Sequence, residues 1–95
     1  MTTYELVLMY RPELSTSDLG KLVEDITAKA KDLGGKLTLS EDWGLKNLAY
    51  KIDKFEKAYY HVYTLEIESV KVNGLVSYLG HKEGVIRNLL NVSES

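Results

Sequence analysis

Two histidines, and lysines interleaved with aromatic side chains, are the residues of this 95-residue chain whose types and spacing could support chemistry. His61 and His81 lie 20 residues apart, and neither has a carboxylate at a metal-ligand spacing. Cysteine is absent, which excludes a thiol nucleophile and a zinc–thiolate site. The seven glycines form no phosphate-binding loop. We therefore predict no catalytic residue, no metal site, no cofactor and no enzyme.

The lysines and aromatic residues concentrate in residues 43–57, which we call the ribbon. It contains Lys46, Lys51, Lys54 and Lys57, with Tyr50 and Phe55 among them. Four lysines against two acidic residues give the ribbon a charge of +2, so the rest of a chain of net charge −2 carries −4. Lysines can contact phosphates and aromatic rings can stack on bases, although lysines in a surface hairpin also serve solubility alone. The acidic total argues against binding nucleic acid by bulk charge.

Hydrophobic periodicity defines the elements that must position the ribbon. Residues 4–10 alternate with a period of two, which predicts a strand ended by Pro12. A helix follows, with Ser15 as its N-cap, an apolar stripe of helical period, and Gly34 at its end. Extended patterns resume at residue 37 and continue to residue 52.

Gly44 interrupts this second extended stretch. A glycine inside a strand pattern often marks a bulge, which bends the strand and redirects its side chains. We therefore predict one long bent strand, and two short strands joined at Gly44 are the alternative. The stretch is followed by a predicted strand at residues 59–68 and a weaker helix capped by Ser69, carrying Gly74 and ended by Gly80 or Gly84. Residues 85–92 form the last predicted strand.

The order strand, helix, strand, strand, helix, strand predicts an α+β fold in one domain over residues 1–95. Right-handed crossovers place both helices on one face of a four-stranded antiparallel sheet, the ferredoxin-like βαββαβ sandwich. On the uncovered face, parity predicts an exposed apolar patch of Val7, Met9, Tyr60 and Val62 that would bind a partner. His61 shares the inward parity of Tyr63, so we interpret it as structural rather than as a base-stacking residue.

The ribbon and its surroundings resemble a known family. Residues 41–52 read Glu-Asp-Trp-Gly-Leu-Lys-Asn-Leu-Ala-Tyr-Lys-Ile, followed by Lys54 and the aromatic pair Tyr59 and Tyr60. This pattern is similar to the signature of the bacterial small-subunit ribosomal protein six family, with Lys51 replacing the usual proline and Leu45 replacing one of two basic residues. The resemblance covers the chain from residue 4 to about residue 92.

The resemblance implies a structural constituent of the small ribosomal subunit, cytoplasmic and ribosome-associated, with the fold derived above. It also implies binding to the central domain of small-subunit rRNA, with small-subunit ribosomal protein eighteen as the heterodimer partner. We assign the RNA contacts to Lys46, Tyr50, Lys51, Lys54 and Arg87. We assign the partner-protein interface to Glu41, Asp42, Trp43 and Leu48.

Two other functions fit the same fold. The first is a regulatory module that binds a small molecule as a homodimer, and the second is a general RNA-recognition domain that binds single strands without a partner. No signal peptide is visible at the N-terminus, and no apolar run approaches the ~18 residues of a membrane helix.

Overall fold

The computed structural model describes residues 1–52 and 54–93. The elements follow in the order β1 (Thr2–Tyr10), α1 (Thr16–Asp32), β2 (Lys36–Ile52), β3 (Phe55–Ile67), α2 (Ser69–His81) and β4 (Val85–Val92). The four strands form one antiparallel sheet in the order β2-β3-β1-β4, so β2 and β4 are its edges. This confirms the predicted ferredoxin-like sandwich. The single domain over residues 1–95 stays a prediction, and residues 53, 94 and 95 lie outside the described part.

The core lies between one face of the sheet and the two helices, as the alternation in the sequence predicts. The buried residues of this layer are Tyr4, Leu6, Leu8, Tyr10, Leu22, Ile26, Ala30, Tyr63, Leu65, Ile67, Val72, Leu75 and Leu79. Each large apolar side chain buried here contributes roughly 1.5–3 kcal/mol to the stability of the fold. No helix in the described ranges is both long enough and apolar enough to cross a membrane.

The two helices begin differently. At α1 the Ser15 hydroxyl accepts a hydrogen bond from the Asp18 N–H at 3.1 Å, which confirms the predicted cap. At α2 the predicted Ser69 cap is wrong: Glu68 is the N-cap, with no side-chain hydrogen bond, and Ser69 is the first helical residue. The helix ends at His81, so neither Gly80 nor Gly84 ends it, and Gly84 lies in the following turn with φ 98°.

β2 is one continuous strand of 17 residues, with Gly44 at φ 69° and a register shift against β3 between residues 42 and 44. The predicted long bent strand is therefore confirmed over the two-strand alternative. β3 starts at Phe55, earlier than the predicted residue 59, because its pairing with β2 uses backbone groups and extends to the polar residue Lys57, opposite Asn47, and to Phe55, opposite Ile52.

The predicted exposed apolar patch on the uncovered face is wrong. Met9 and Val62 are only 7 % and 5 % exposed, and Val7 and Tyr60 are half-buried. Four residues at the end of β2 line a groove together with residues of β1, β3 and β4: Leu48, Ala49, Tyr50 and Ile52. Because β3 separates β2 from β1 and β4 in the sheet, this end of β2 approaches them over the uncovered face, where Met9 lines the same groove.

Candidate nucleic-acid and partner interface

The bend in β2 is a β-bulge formed by Asp42, Trp43 and Gly44. Asp42 pairs with His61 and Gly44 pairs with Tyr60, so Trp43 is the extra residue between two consecutive partners. The Gly44 N–H donates a hydrogen bond of 2.9 Å to Asp42 Oδ1, which closes the bulge. The bulge directs the Trp43 ring onto Tyr60, with ring centroids 6.1 Å apart and 23° between the planes. Trp43 nevertheless stays 47 % exposed.

Beside this stacked pair lies a groove of about 250 Å³ on the helix-free face. Its lining consists of Met9, Leu48, Ala49, Tyr50, Ile52, Tyr60, Arg87 and Leu89. Arg87 of β4 lies opposite Met9 in the strand register and is the one charged residue among these lining residues. A guanidinium among tyrosines and aliphatic side chains can pair with an anionic group while the rings and aliphatic groups contact an apolar or planar one.

The lysines of the ribbon are all exposed, and they lie on β2, on β3 and in the connection between them. Lys51 forms an exposed ion pair with Glu56 at 3.5 Å, which contributes little to stability. Arg11 adds a further cation near the ribbon, since its guanidinium lies 5.9 Å from the centroid of the Phe55 ring. This end of the sheet therefore combines positive charge with aromatic surface, although the whole chain is acidic.

The structure brings only some of the predicted site residues together. Leu48 and Tyr50 meet Arg87 in the groove, although β2 and β4 are opposite edges of the sheet. Glu41, Asp42 and Trp43 lie at the bulge, and Lys46 follows on the same strand. Lys51 and Lys54 are exposed at the end of the hairpin and do not line the groove. The groove therefore combines Leu48, predicted for the partner, with Tyr50 and Arg87, predicted for RNA, and the other predicted residues lie outside it.

Sequence reasoning placed Met9 and Tyr60 on an exposed patch rather than in a groove, and it missed Leu89. Parity alone places all three on the uncovered face, which is the signal that could have found Leu89 on the last strand. Parity could not reveal that the end of β2 approaches that face, because this follows an interruption of the β2–β3 register between Asn47 and Ile52.

Behind the bulge, four side chains form a polar chain from the core to the surface. The Tyr10 and Tyr63 hydroxyls are 2.7 Å apart, and the Tyr63 hydroxyl is 3.0 Å from His61 Nδ1. His61 Nε2 is 3.6 Å from Asp42 Oδ1, the same oxygen that accepts from the bulge amide. Tyr10, Tyr63 and His61 are buried, whereas the Asp42 side chain is 60 % exposed. This burial confirms His61 as a structural residue.

Burial governs the protonation of this polar chain. It lowers the pKa of His61 below its ordinary value, and the nearby Asp42 carboxylate opposes that change only in part. Burial likewise raises the pKa of Tyr63 to about 12 and raises the pKa of Tyr10 as well. At neutral pH the imidazole and both hydroxyls are therefore uncharged. Within residues 1–52 and 54–93, no three His, Asp or Glu side chains group as metal ligands.

This geometry defines a class of protein: a small α+β sandwich with an exposed, basic and aromatic ribbon at one end of its sheet. The family model for ribosomal protein S6 matches residues 3–91. The chain is 36 % identical over 95 residues to small ribosomal subunit protein bS6 of Orientia tsutsugamushi, covering all of this chain and 75 % of that protein. It is 34 % identical over 89 residues to bS6 of Maricaulis maris, covering 94 % of this chain and 76 % of that protein.

The fold agrees with a solved structure. The crystal structure of 30S ribosomal protein S6 from Thermotoga maritima superposes with a TM-score of 0.88 at 22 % identity, covering 97 % of this chain and 87 % of the other. The chain belongs to the ribosomal protein S6 family. It is a structural, non-enzymatic protein of the small ribosomal subunit that binds rRNA and is ribosome-associated.

Proposed function

We propose that this chain binds the central domain of small-subunit rRNA as a heterodimer with small-subunit ribosomal protein eighteen. The observation that carries the proposal is the bulge at Gly44, which leaves Trp43 half-exposed on the uncovered face while the lysines of the ribbon extend along an edge hairpin. One hairpin thus offers an apolar surface suited to a protein and cations suited to phosphates.

The partner-protein contacts are assigned to Glu41, Asp42, Trp43 and Leu48. Large aromatic side chains often carry much of the energy of a protein interface, and Trp43 is exposed and already held against Tyr60. Glu41 and Asp42 are exposed carboxylates beside it, which suits a partner of basic character. A basic partner would also neutralise phosphates, which accounts for an rRNA-binding protein of net charge −2.

The RNA contacts are assigned to Lys46, Tyr50, Lys51, Lys54 and Arg87. The three lysines are exposed point charges, which hold the phosphate backbone without reading its sequence. Tyr50 is 69 % exposed at the rim of the groove that contains Arg87, so its ring is accessible for stacking on a base.

Reversing charge on the ribbon tests the RNA assignment. The double variant Lys46→Glu with Lys54→Glu should weaken binding of the heterodimer to a central-domain rRNA fragment, measured by titration at several salt concentrations. The negative slope of log K against log salt should become less steep by about 0.7–0.9 for each phosphate that the variant no longer neutralises. The matched control is Lys21→Glu with Lys71→Glu, which makes the same charge change on exposed positions of α1 and α2.

Equal weakening of binding in both double variants would contradict the assignment, because it would show dependence on net charge alone. Absence of a complex between the wild-type chain, protein eighteen and the fragment would contradict the proposed function itself. Self-association of the chain into a homodimer with a thermal shift on a metabolite panel would favour the regulatory-module alternative.

A further inference from the structure

The polar chain runs from the core to the surface next to the exposed Trp43. Its members come from three strands: Tyr10 from β1, His61 and Tyr63 from β3, and Asp42 from β2. None of the three buried members reaches the groove or the ribbon, so the binding role leaves their polar groups unexplained. A purely apolar core at these positions would fill the same space with no hydrogen bonds to satisfy.

The direction of the hydrogen bonds follows from counting protons. Each tyrosine hydroxyl has one proton, and the neutral imidazole has one N–H. If Tyr63 donated to Tyr10, His61 Nδ1 would have to donate to Tyr63, and a bare Nε2 would face the Asp42 carboxylate. In the opposite direction Tyr10 donates to Tyr63, Tyr63 donates to Nδ1, and Nε2–H points to Asp42. This direction alone points every proton of the polar chain at an acceptor while His61 stays neutral, with Nε2–H facing Asp42 Oδ1 at 3.6 Å, beyond hydrogen-bond distance.

Asp42 is the exposed end of the polar chain, and it links that chain to the bulge. A single oxygen, Oδ1, accepts the Gly44 N–H at 2.9 Å and lies 3.6 Å from Nε2. The side chain is otherwise 60 % exposed, and exposed carboxylates rotate readily unless something holds them. The imidazole, which is buried and packed edge-on against the Tyr10 ring at 5.0 Å, is a rigid group that can hold it.

We propose that His61 is a positioning residue for the Trp43 surface. The polar chain fixes the tautomer that presents Nε2–H to Asp42, and Asp42 in turn keeps the Gly44 bulge closed, which stacks Trp43 on Tyr60. The importance of this for partner binding rests on the proposed function, whereas the positioning itself does not. His61, which is buried, thereby controls the shape of the exposed Trp43 surface without being part of that surface.

The test uses the full chain alone, so its outcome is independent of whether the partner or rRNA binds. Trp43 is the single tryptophan, so fluorescence quenching by acrylamide reports this ring and no other. The Gly44 amide resonance in a ¹⁵N-labelled sample reports the bulge hydrogen bond. Two variants, His61→Leu and His61→Phe, remove both ring nitrogens, and the second keeps an aromatic ring against Tyr10. Asp42→Ala removes the acceptor at an exposed position.

We expect all three variants to shift the Gly44 amide resonance and to raise the quenching constant of Trp43 toward about twice its wild-type value, because the stacked ring is 47 % exposed. His61→Gln keeps an N–H donor within reach of Asp42 and should restore both signals to near the wild-type values. Val72→Ala is the control, because it removes buried apolar volume from α2, outside the polar chain.

Changes in Val72→Ala equal to those in His61→Leu would overturn the proposal, since loss of core packing would then suffice. A response to Asp42→Ala without a response to either His61→Leu or His61→Phe would overturn it too, because Asp42 would then hold the bulge unaided. Failure of the chain to bind protein eighteen would contradict the proposed function. The Gly44 amide resonance and the Trp43 quenching constant would still test whether His61 positions the Trp43 surface.

Discussion

Tyr63 is the residue through which the polar chain passes, since its hydroxyl contacts both Tyr10 and His61. Net contributions of single hydrogen bonds are modest, but a buried polar group left without a partner is costly. The two tyrosines therefore differ in importance although each is buried and each has one hydroxyl. Tyr10 ends the polar chain, whereas Tyr63 joins two other members.

Removing these hydroxyls one at a time measures that difference. Tyr10→Phe should lower the free energy of unfolding by roughly 1 kcal/mol, because Tyr63 keeps its bond to His61. Tyr63→Phe leaves both the Tyr10 hydroxyl and His61 Nδ1 without partners and should cost roughly 2–3 kcal/mol. Urea unfolding at pH 7 provides both values. Equal costs for the two variants would contradict the connected arrangement.

Gly44 is required at the bulge for its backbone conformation. Its φ of 69° lies in the left-handed region, and a Cβ added there would meet nothing within 4 Å. Gly44→Ala should therefore destabilise the chain by roughly 1 kcal/mol through backbone strain alone. Gly20→Ala is the matched control: it also meets nothing within 4 Å, but it lies in α1 and should stabilise by roughly 0.5–1 kcal/mol. Urea midpoints that move in the same direction would contradict this account.

At the scale of elements, α2 is the less well specified helix. It lacks a side-chain cap at Glu68, whereas α1 has the Ser15 cap. It carries two glycines, Gly74 and Gly80, against Gly20 alone in α1. Three residues of α2 are buried, Val72, Leu75 and Leu79, and they hold it against the sheet. Packing therefore compensates for weak local preference in this helix.

Gly74→Ala should stabilise the chain by roughly 0.5–1 kcal/mol, because alanine has the higher helix propensity. The added Cβ would lie 3.5 Å from the Leu33 methyl carbons, an ordinary contact distance. Gly84→Ala is the opposing control, since Gly84 has φ 98° and a Cβ there would lie 2.9 Å from Leu22 Cδ2. Thermal unfolding should raise the midpoint of the first variant and lower that of the second. A fall in both would show that α2 cannot accept the methyl group.

The elements also show where sequence patterns are informative. The strand over residues 4–10, the Ser15 cap and the bend at Gly44 each depend on residues close together in the chain, and all were predictable. The start of β3 at Phe55 was not, because it depends on pairing with β2 through polar residues that show no alternation. The Ser69 cap failed for a related reason: the helix begins one residue earlier than the preferred capping side chain requires.

At the scale of the whole molecule, the candidate site depends on an arrangement of distant segments. The assignment of Lys46, Tyr50 and Arg87 came from residue types and family resemblance, which contain no information on how the two sheet edges approach each other. The groove lies between the end of β2 and residues of β3, β1 and β4. Met9, which alternation alone placed on an exposed patch, is buried in this region.

The distribution of charge is likewise a property of the whole molecule. The ribbon carries +2 and the remainder carries −4, whereas α1 and α2 together are neutral, with four lysines against four acidic residues, so the ribbon is a positive segment of an acidic chain. An anionic partner should therefore approach by the hairpin, and a basic partner can cover acidic surface near it. The proposed function depends on this orientation, because the proposed contacts on both macromolecules lie at one end of the sheet.

Hydrogen exchange of the backbone amides, with and without protein eighteen and a central-domain rRNA fragment, tests that orientation most directly. We predict slower exchange on complex formation in residues 41–52 of β2 and around Arg87 of β4, with exchange in α1 and α2 unchanged. Protection confined to the two helices, with residues 41–52 exchanging as in the chain alone, would contradict it.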